Sequence, residues 1–296
     1  MTKICCIVNP VSGLKKSLKV YYEAKNLFEK SDFNTSLFVS EYPNHIKDYV
    51  SKIEKNRFDR IIVFGGDGSI NEVVNGLNDS NNLQSFKLGV IPTGSGNSVA
   101  HDTGLLDVKD AISKSLGDNI IKMDLNKVDF DSVSRLSVSV LGWGMFSYGN
   151  IRAEKLRLLG PIRYDVASII TLLEKKIHKA EVEVDGKLKL LECAFIVACN
   201  SKHTGKGMII APKGSFSDKK IDLISVGKDV NRFQVFEVFQ KVYKGTHINL
   251  PFVKNIKVDS ISIDAGKMSY YNIDGDVIKS QKASVRVVPD AIKLLI

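Results

Sequence analysis

Residues 60–77, RIIVFGGDGSINEVVNGL, constrain this chain more than any other stretch. Arg60 to Phe64 is a short apolar run rich in β-branched residues, and it reads as a buried strand. Gly65, Gly66, Asp67 and Gly68 read as a loop. Ser69 then opens a helix that carries Glu72, Val73, Val74 and Leu77. Glycine lets other groups approach the backbone closely, and a strand-to-helix junction offers free amides. Such a loop suits phosphate. A carboxylate inside the cradle repels bare phosphate. Asp67 fits there by holding a cation or by accepting a proton from the group being phosphorylated. That combination points to phosphoryl transfer.

The surrounding chain alternates strands and helices. Strands are expected at 3–8, 36–39, 60–64 and 87–91, and helices at 17–30, 44–56 and from Ser69 to Leu77. This rhythm predicts a mainly parallel sheet with helices on both faces. Polar glycine-containing loops at 9–13, 65–68 and 93–97 each follow a strand's carboxyl end. They are expected to converge on one edge of the sheet, where ligands bind in such folds. Past Lys122 the pattern changes to strands with few helices. They are expected at 127–130, 135–141, 180–184, 189–199, 221–226, 256–263, 269–273 and 284–288, with helical stretches at 150–176 and 229–244. An antiparallel, β-rich second domain follows. The boundaries read as 1–123 for the α/β domain and 124–288 for the second, with 289–296 packing back on the first.

Four further features bear on chemistry. Ser95 and Asn97 in PTGSGNSVA offer donors to a phosphate or ribose, though such loops are often only tight turns. Arg157 and Arg163 flank the helix break Gly160-Pro161; guanidinium forks suit phosphate oxygens, and two surface arginines are the plainer reading. The stripe Val166, Ile169, Ile170 and Leu173 is either core or the wall of an acyl slot. Asp274-Gly275-Asp276 is either a hairpin turn or a carboxylate pair completing a Mg²⁺ or proton-acceptor site.

The excess of 42 basic over 33 acidic residues, +9, fits a solvated basic surface, an anionic membrane or an anionic cosubstrate. No dense basic-aromatic stretch points to nucleic acid. Cys5, Cys6, Cys193 and Cys199 lie in apolar runs without metal spacing and read as reduced core thiols, which fits a cytoplasmic protein. The five histidines show no zinc-like spacing. No run approaches the length needed to span a bilayer.

Together, NPVSG (9–13), GGDGSINEVVNGL (65–77), PTGSGNSVA (92–100), the block of residues 143–164 with its E-K-x-R-x-x-G-x-x-R-Y pattern, GKGMIIAPKGSFSDKKIDLISV (205–226), GTHI (245–248) and IDGD (273–276) resemble one family. It is the diacylglycerol kinase catalytic-domain family, which includes sphingosine, ceramide and long-chain-base kinases and bacterial lipid kinases. The 143–164 block and GKGMIIAP look most like the sphingosine and long-chain-base branch. The resemblance implies an N-terminal Rossmann-like α/β domain, similar to NAD kinase and phosphofructokinase, and a C-terminal β-sandwich. It puts the active site in the cleft between them and a lipid pocket in the second domain.

The resemblance also implies roles. Asn9, Ser40, Gly66, Gly68, Thr93 and Ser95 would contact ATP, and Arg157 and Arg163 would hold its phosphates. Asp67 would activate the lipid hydroxyl or order Mg²⁺. Asp276 would sit near the adenosine or act as a base, with Asp274 a further metal candidate. Tyr148, Asn150 and Ile169 would face the lipid. Two departures stand out. The family's D-G-E is D-G-D here, which shortens the carboxylate's reach by about 1.5 Å. Tyr148 stands where sphingosine and ceramide kinases carry a head-group Asp. The expected protein is therefore an ATP- and Mg²⁺-dependent lipid kinase, with a long-chain base favoured over diacylglycerol or ceramide. It would be cytoplasmic, transiently docked on an anionic membrane, and a possible homodimer. Rival readings are a soluble-metabolite kinase such as NAD kinase and a non-catalytic nucleotide- or lipid-binding protein.

Overall fold

The computed structural model describes residues 1–29, 33–156, 167, 170–171, 174, 176–205 and 207–296. It divides into two compact units. Unit 1 comprises Met1–Leu125, Thr204–Gly207 and Val288–Ile296, and unit 2 comprises Asn126–His203 and Met208–Val287.

Unit 1 is built on β1 (Lys3–Val8), α1 (Ser17–Glu29), β2 (Asn34–Val39), α2 (His45–Val50), β3 (Arg60–Gly65), α3 (Asp67–Asp79), β4 (Lys87–Pro92), α4 (Ser98–Thr103) and α5 (Val108–Leu116). The four strands pair in parallel in the order β2-β1-β3-β4. The carboxyl end of β15 (Asp276–Leu295) adds a fifth, also parallel, with Lys293 opposite Lys87 and Leu294 opposite Leu88. AIKLLI thus packs into this unit, as its apolar character indicates.

Two-sided burial explains why β1 and β3 lack polar alternation. One face of the sheet, with Ile4, Cys6, Val8, Ile62 and Phe64, meets Tyr21, Ala24 and Phe28 of α1 and Ala111 and Ile112 of α5. Ile46 and Val50 of α2, with Ile70, Val73, Val74 and Leu77 of α3, are buried as well. All four cysteines are free and buried. Burial pushes the Cys5 thiol up to about 11 and Cys6 to about 12, so neither is a nucleophile near neutral pH.

Unit 2 begins within β5 (Ile120–Phe130). It continues through β6 (Ser134–Ser137), β7 (Val140–Gly144), α6 (Met145–Lys155), β8 (His178–Val184), β9 (Lys187–Cys199), β10 (His203–Thr204), β11 (Met208–Ile209), β12 (Ile221–Gly227), α7 (Arg232–Val242), β13 (Val253–Val258) and β14 (Ser260–Ile273), and into β15. Its main strands pair antiparallel in the order β13-β12-β9-β7-β14-β15. β8 also pairs with both β9 and β14, so β7 and β8 lie end to end between those two long strands. Alternate side chains feed two cores. Leu141, Trp143, Ile196, Leu223 and Tyr271 pack with Val128 and Phe130 on one face. Val140, Phe195, Val197, Ile224 and Val226 pack with Val235, Val238 and Val242 of α7 on the other.

Two strands expected from the sequence are each divided. The run 135–141 breaks at Val138-Ser139, where the backbone turns its amides to the Asp274 carboxylate. The run 256–263 breaks at Asp259, whose amide, with that of Ser260, donates to Asp185 Oδ1. The helix expected over 44–56 is shorter, ending at Val50.

Candidate active site

The GGDG segment differs from its expected form in one respect. α3 starts at Asp67, not Ser69, with Gly66 as its N-cap. Asp67 therefore occupies the first helical turn, where the helix dipole stabilises a carboxylate. Three loops of unit 1 meet around it backbone to backbone. A Cβ on Gly94 would lie 2.3 Å from Gly66 Cα, and one on Gly13, at φ +52°, would lie 1.6 Å from the Thr93 carbonyl oxygen. No side chain fits at either position. The expected convergence of the loops at 9–13, 65–68 and 93–97 is what these contacts describe.

The loops enclose a cavity of about 340 Å³ lined by Asn9, Val11–Gly13, Gly66–Ser69 and Gly94–Gly96. Asn9 ties the loops together. Its Nδ2 donates to Ser69 Oγ at 3.1 Å, and its Oδ1 accepts from the Val11 amide at 3.2 Å. Asn97, a candidate donor to phosphate or ribose, grips Gly94 in a tight turn. Its Oδ1 accepts from Gly94 N and its Nδ2 donates to Gly94 O, both at 2.9 Å. Ser95 is exposed at the rim.

Asp67 is held from across the cradle by Ser98 at the start of α4. The Ser98 amide donates to Oδ1 at 2.6 Å and its hydroxyl to Oδ2 at 3.1 Å. Gly96 makes this possible, because a Cβ there would sit 2.4 Å from Asp67 Oδ2. Sequence reasoning does not single out Ser98 or Gly96, although both contact or crowd Asp67. Both lie in the GSGNS stretch with Ser95 and Asn97.

Gly68 is the counterpart of the crowded glycines. It lines the cavity, yet a Cβ built on it meets nothing within 4 Å. A methyl group there meets open space at the cavity's lining. Gly68→Ala is expected to raise thermal stability slightly, because it lies in α3, while weakening ATP binding about tenfold. Melting temperature and calorimetric titration with ATP check both halves.

Two residues expected to contact ATP are buried. Thr93 is buried and its hydroxyl pairs with Ser17 Oγ at 2.7 Å, while Ser40 is buried at the end of β2, where its amide donates to Val8 O at 2.9 Å. Neither lines the cavity. Arg157, Arg163 and Ile169 lie outside the described residues, and Asn150 is placed in α6.

In unit 2 the D-G-D segment is a two-residue hairpin turn, with Ile273 opposite Asp276. Asp274 and Gly275 both take positive φ, +50° and +102°. Asp274, a metal candidate from the sequence, is surrounded by hydrogen-bond donors. Its buried carboxylate accepts from Ser137 Oγ and from the amides of Val138, Ser139 and Val140, at 2.7–2.9 Å. Burial pushes its carboxyl up, and these four donors oppose that. It is a backbone staple. Asp276 is exposed and paired with Arg135 at 2.8 Å.

Tyr148 lies in α6 and stacks on His178, with centroids 5.4 Å apart, while meeting Tyr270 edge-on at 5.8 Å. Tyr148, His178 and Trp143 wall a groove of about 810 Å³ in unit 2. Lys176, Lys179 and Lys267 line it along with Glu181 and Asp264. Burial, Lys176 and Lys267 all lower the His178 pKa, which keeps the ring neutral. Among the described residues no group of three or more His, Cys, Asp or Glu side chains is arranged to hold a metal ion. No described helix is long and apolar enough to cross a membrane.

A glycine cradle with a fixed carboxylate stands on the parallel sheet of unit 1, and unit 2 is rich in antiparallel strands. Residues 3–128 match the diacylglycerol kinase catalytic domain, and residues 139–296 match the YegS C-terminal NAD kinase beta sandwich-like domain. The chain belongs to the diacylglycerol kinase catalytic-domain family, and it is a lipid kinase that uses ATP.

It is 25% identical over 342 residues to sphingosine kinase 2 of Arabidopsis thaliana, covering 96% of this chain and 70% of that one. It is 26% identical over 279 residues to the diacylglycerol kinase of Bacillus subtilis, covering 93% and 90%. The crystal structure of a diacylglycerol kinase from Bacillus anthracis superposes with a TM-score of 0.81 at 19% identity, covering 99% of this chain and 96% of that one. That likeness concerns the fold.

Proposed function

We propose that this kinase phosphorylates the primary hydroxyl of a membrane lipid with an uncharged head group, of the diacylglycerol type. The observation that carries the head-group choice is Tyr148. It presents a phenol stacked on His178 where a counter-charge for an amine would be needed, in a groove with three lysines against two carboxylates. An ammonium gains little there, whereas a neutral ester head group loses nothing.

Bound ATP supplies the phosphoryl group, and Mg²⁺ would neutralise charge at the phosphates. The glycine loops and the first turn of α3 receive phosphate oxygens through backbone amides. Asp67, oriented by Ser98, accepts the proton of the lipid hydroxyl as its oxygen bonds to phosphorus. The leaving oxygen keeps the electron pair of the broken bond.

A long-chain base is the second reading. It is supported by the likeness to the Arabidopsis sphingosine kinases and by Glu181 and Asp264 in the groove. Turnover of ATP against diacylglycerol, ceramide and sphingosine in mixed micelles separates the two. Preference for diacylglycerol by tenfold or more in kcat/KM is expected, and a preference for sphingosine reverses the assignment. No lipid phosphate with any of the three, together with unchanged ATP binding, leaves the non-catalytic reading.

Asp276→Glu tests the short D-G-D. The longer carboxylate should raise kcat about tenfold if reach limits the rate, with stability unchanged because the site is exposed. An unaltered kcat assigns Asp276 to its Arg135 pair alone.

A further inference from the structure

The lipid reading requires the protein to reach its substrate in a bilayer, and one surface element in unit 2 suits that task. α7 buries Val235, Val238 and Val242 in the core beneath it. Its capping box, in which Asn231 and Gln234 exchange hydrogen bonds of 2.8–2.9 Å, fixes its start. The helix is thus anchored and well formed without its outer face.

That outer face is aromatic. Phe233 is 84% exposed, Phe236 42%, and Tyr243, just past the helix end, 43%. At 100° per residue these three side chains fall within one sector opposite the buried valines. A phenyl ring that solvated gains nothing from folding. Single exposed apolar side chains are ordinary, but three aromatics on one helical sector form a patch.

Charge decides what covers it. Arg232 and Lys244 bracket the aromatics, and among the described residues neither forms an ion pair. Glu237, the acidic residue within the helix, is already paired with Lys241 at 2.7 Å. Aromatic rings flanked by cations match the interface of an anionic bilayer. There the rings enter the acyl boundary and the cations meet phosphate or carboxylate head groups.

We propose that the Phe233–Phe236–Tyr243 face of α7, with Arg232 and Lys244, docks this protein on anionic lipid bilayers. This rests on the lipid-kinase reading for its purpose, but its test does not depend on turnover. Full-length protein is sedimented with vesicles of phosphatidylcholine alone or with about 30% phosphatidylserine, at low and high salt. Wild type should partition to the anionic vesicles and release at high salt. Phe233→Ser/Phe236→Ser should weaken partition at least about tenfold with an unchanged melting temperature, since both rings are exposed. Arg232→Gln/Lys244→Gln should weaken it about fivefold per charge, only on the anionic vesicles. Both variants should phosphorylate lipid in detergent micelles at the wild-type rate.

Equal vesicle binding by wild type and both double variants overturns the proposal. So does a wild-type dimer in sedimentation velocity that Phe233→Ser/Phe236→Ser dissociates, because the face then meets a second copy. Vesicle binding that responds as expected, in a protein without turnover on any lipid, upholds the docking face and rejects the kinase substrate assignment instead.

Discussion

Asp67→Asn is expected to lower kcat about 10³-fold while ATP binds within about twofold of wild type. The amide retains Oδ1 as the acceptor for the Ser98 amide, so the cradle should keep its shape. What it loses is the ability to take a proton from the acceptor hydroxyl. Gly96→Ala is the companion experiment, because it leaves the carboxylate intact. Its methyl group would sit 2.4 Å from Asp67 Oδ2, and the backbone of Gly96 and the Asp67 side chain must part. A displacement of about 1 Å at a reacting group costs about 10² in rate. Initial rates of lipid phosphorylation and calorimetric ATP affinity measure both. If Asp67→Asn retains wild-type kcat, Asp67 is not the proton acceptor. If Gly96→Ala alone is silent, the Ser98 clamp is not what aims it.

Asp274→Ala is expected to produce the largest loss of stability. Removal of the carboxylate leaves the amides of Val138, Ser139 and Val140 and the Ser137 hydroxyl without their acceptor. Each buried donor left unsatisfied costs about 1–3 kcal/mol, and partial relaxation brings the sum to about 4 kcal/mol. For a unit of this size the melting temperature should fall by roughly 10 °C. Asp274→Asn should fall between, since its amide keeps one acceptor oxygen but turns an N–H₂ toward donors. Chelator treatment separates this staple from a metal ligand. A staple predicts no effect of EDTA on the melting curve, whereas a metal site predicts that EDTA mimics the mutation.

The two positions show where sequence reasoning succeeds and where it stops. Local grammar identified β3, the glycine turn and α3, because strand propensity, glycine and helical periodicity all act within a few residues. It misplaced the start of α3 by two residues, since Asp67 serves as well in a first turn as in a loop. It misjudged Asn97, whose side chain closes on Gly94 three residues back, a contact that looks from sequence like a free ligand donor. The division of 135–141 into β6 and β7 was not legible at all. The cause is a carboxylate 134–137 residues further on, and no pattern around Val138 encodes it. Asp274 itself was legible as a hairpin residue, but its inward side chain was not, because Asp-Gly fixes the backbone and leaves the side chain's target to the tertiary fold. The burial of Thr93 and Ser40 shows the same limit, since neither loop signals it.

The closing strand of unit 1 has a consequence for how the protein is made. Residues 288–296 supply the fifth strand beside β4, with Ile292, Leu294 and Leu295 buried. During synthesis, domains generally fold as they emerge, the amino-terminal one first. Here the nucleotide cradle's own sheet waits for residues that follow all of unit 2. The nascent first unit therefore carries an unfinished edge on β4 throughout translation of the second, and that edge is where chaperones would be needed. A nonsense codon near position 288 would spare the residues that line the unit 2 groove and strike the sheet that carries the glycine cradle.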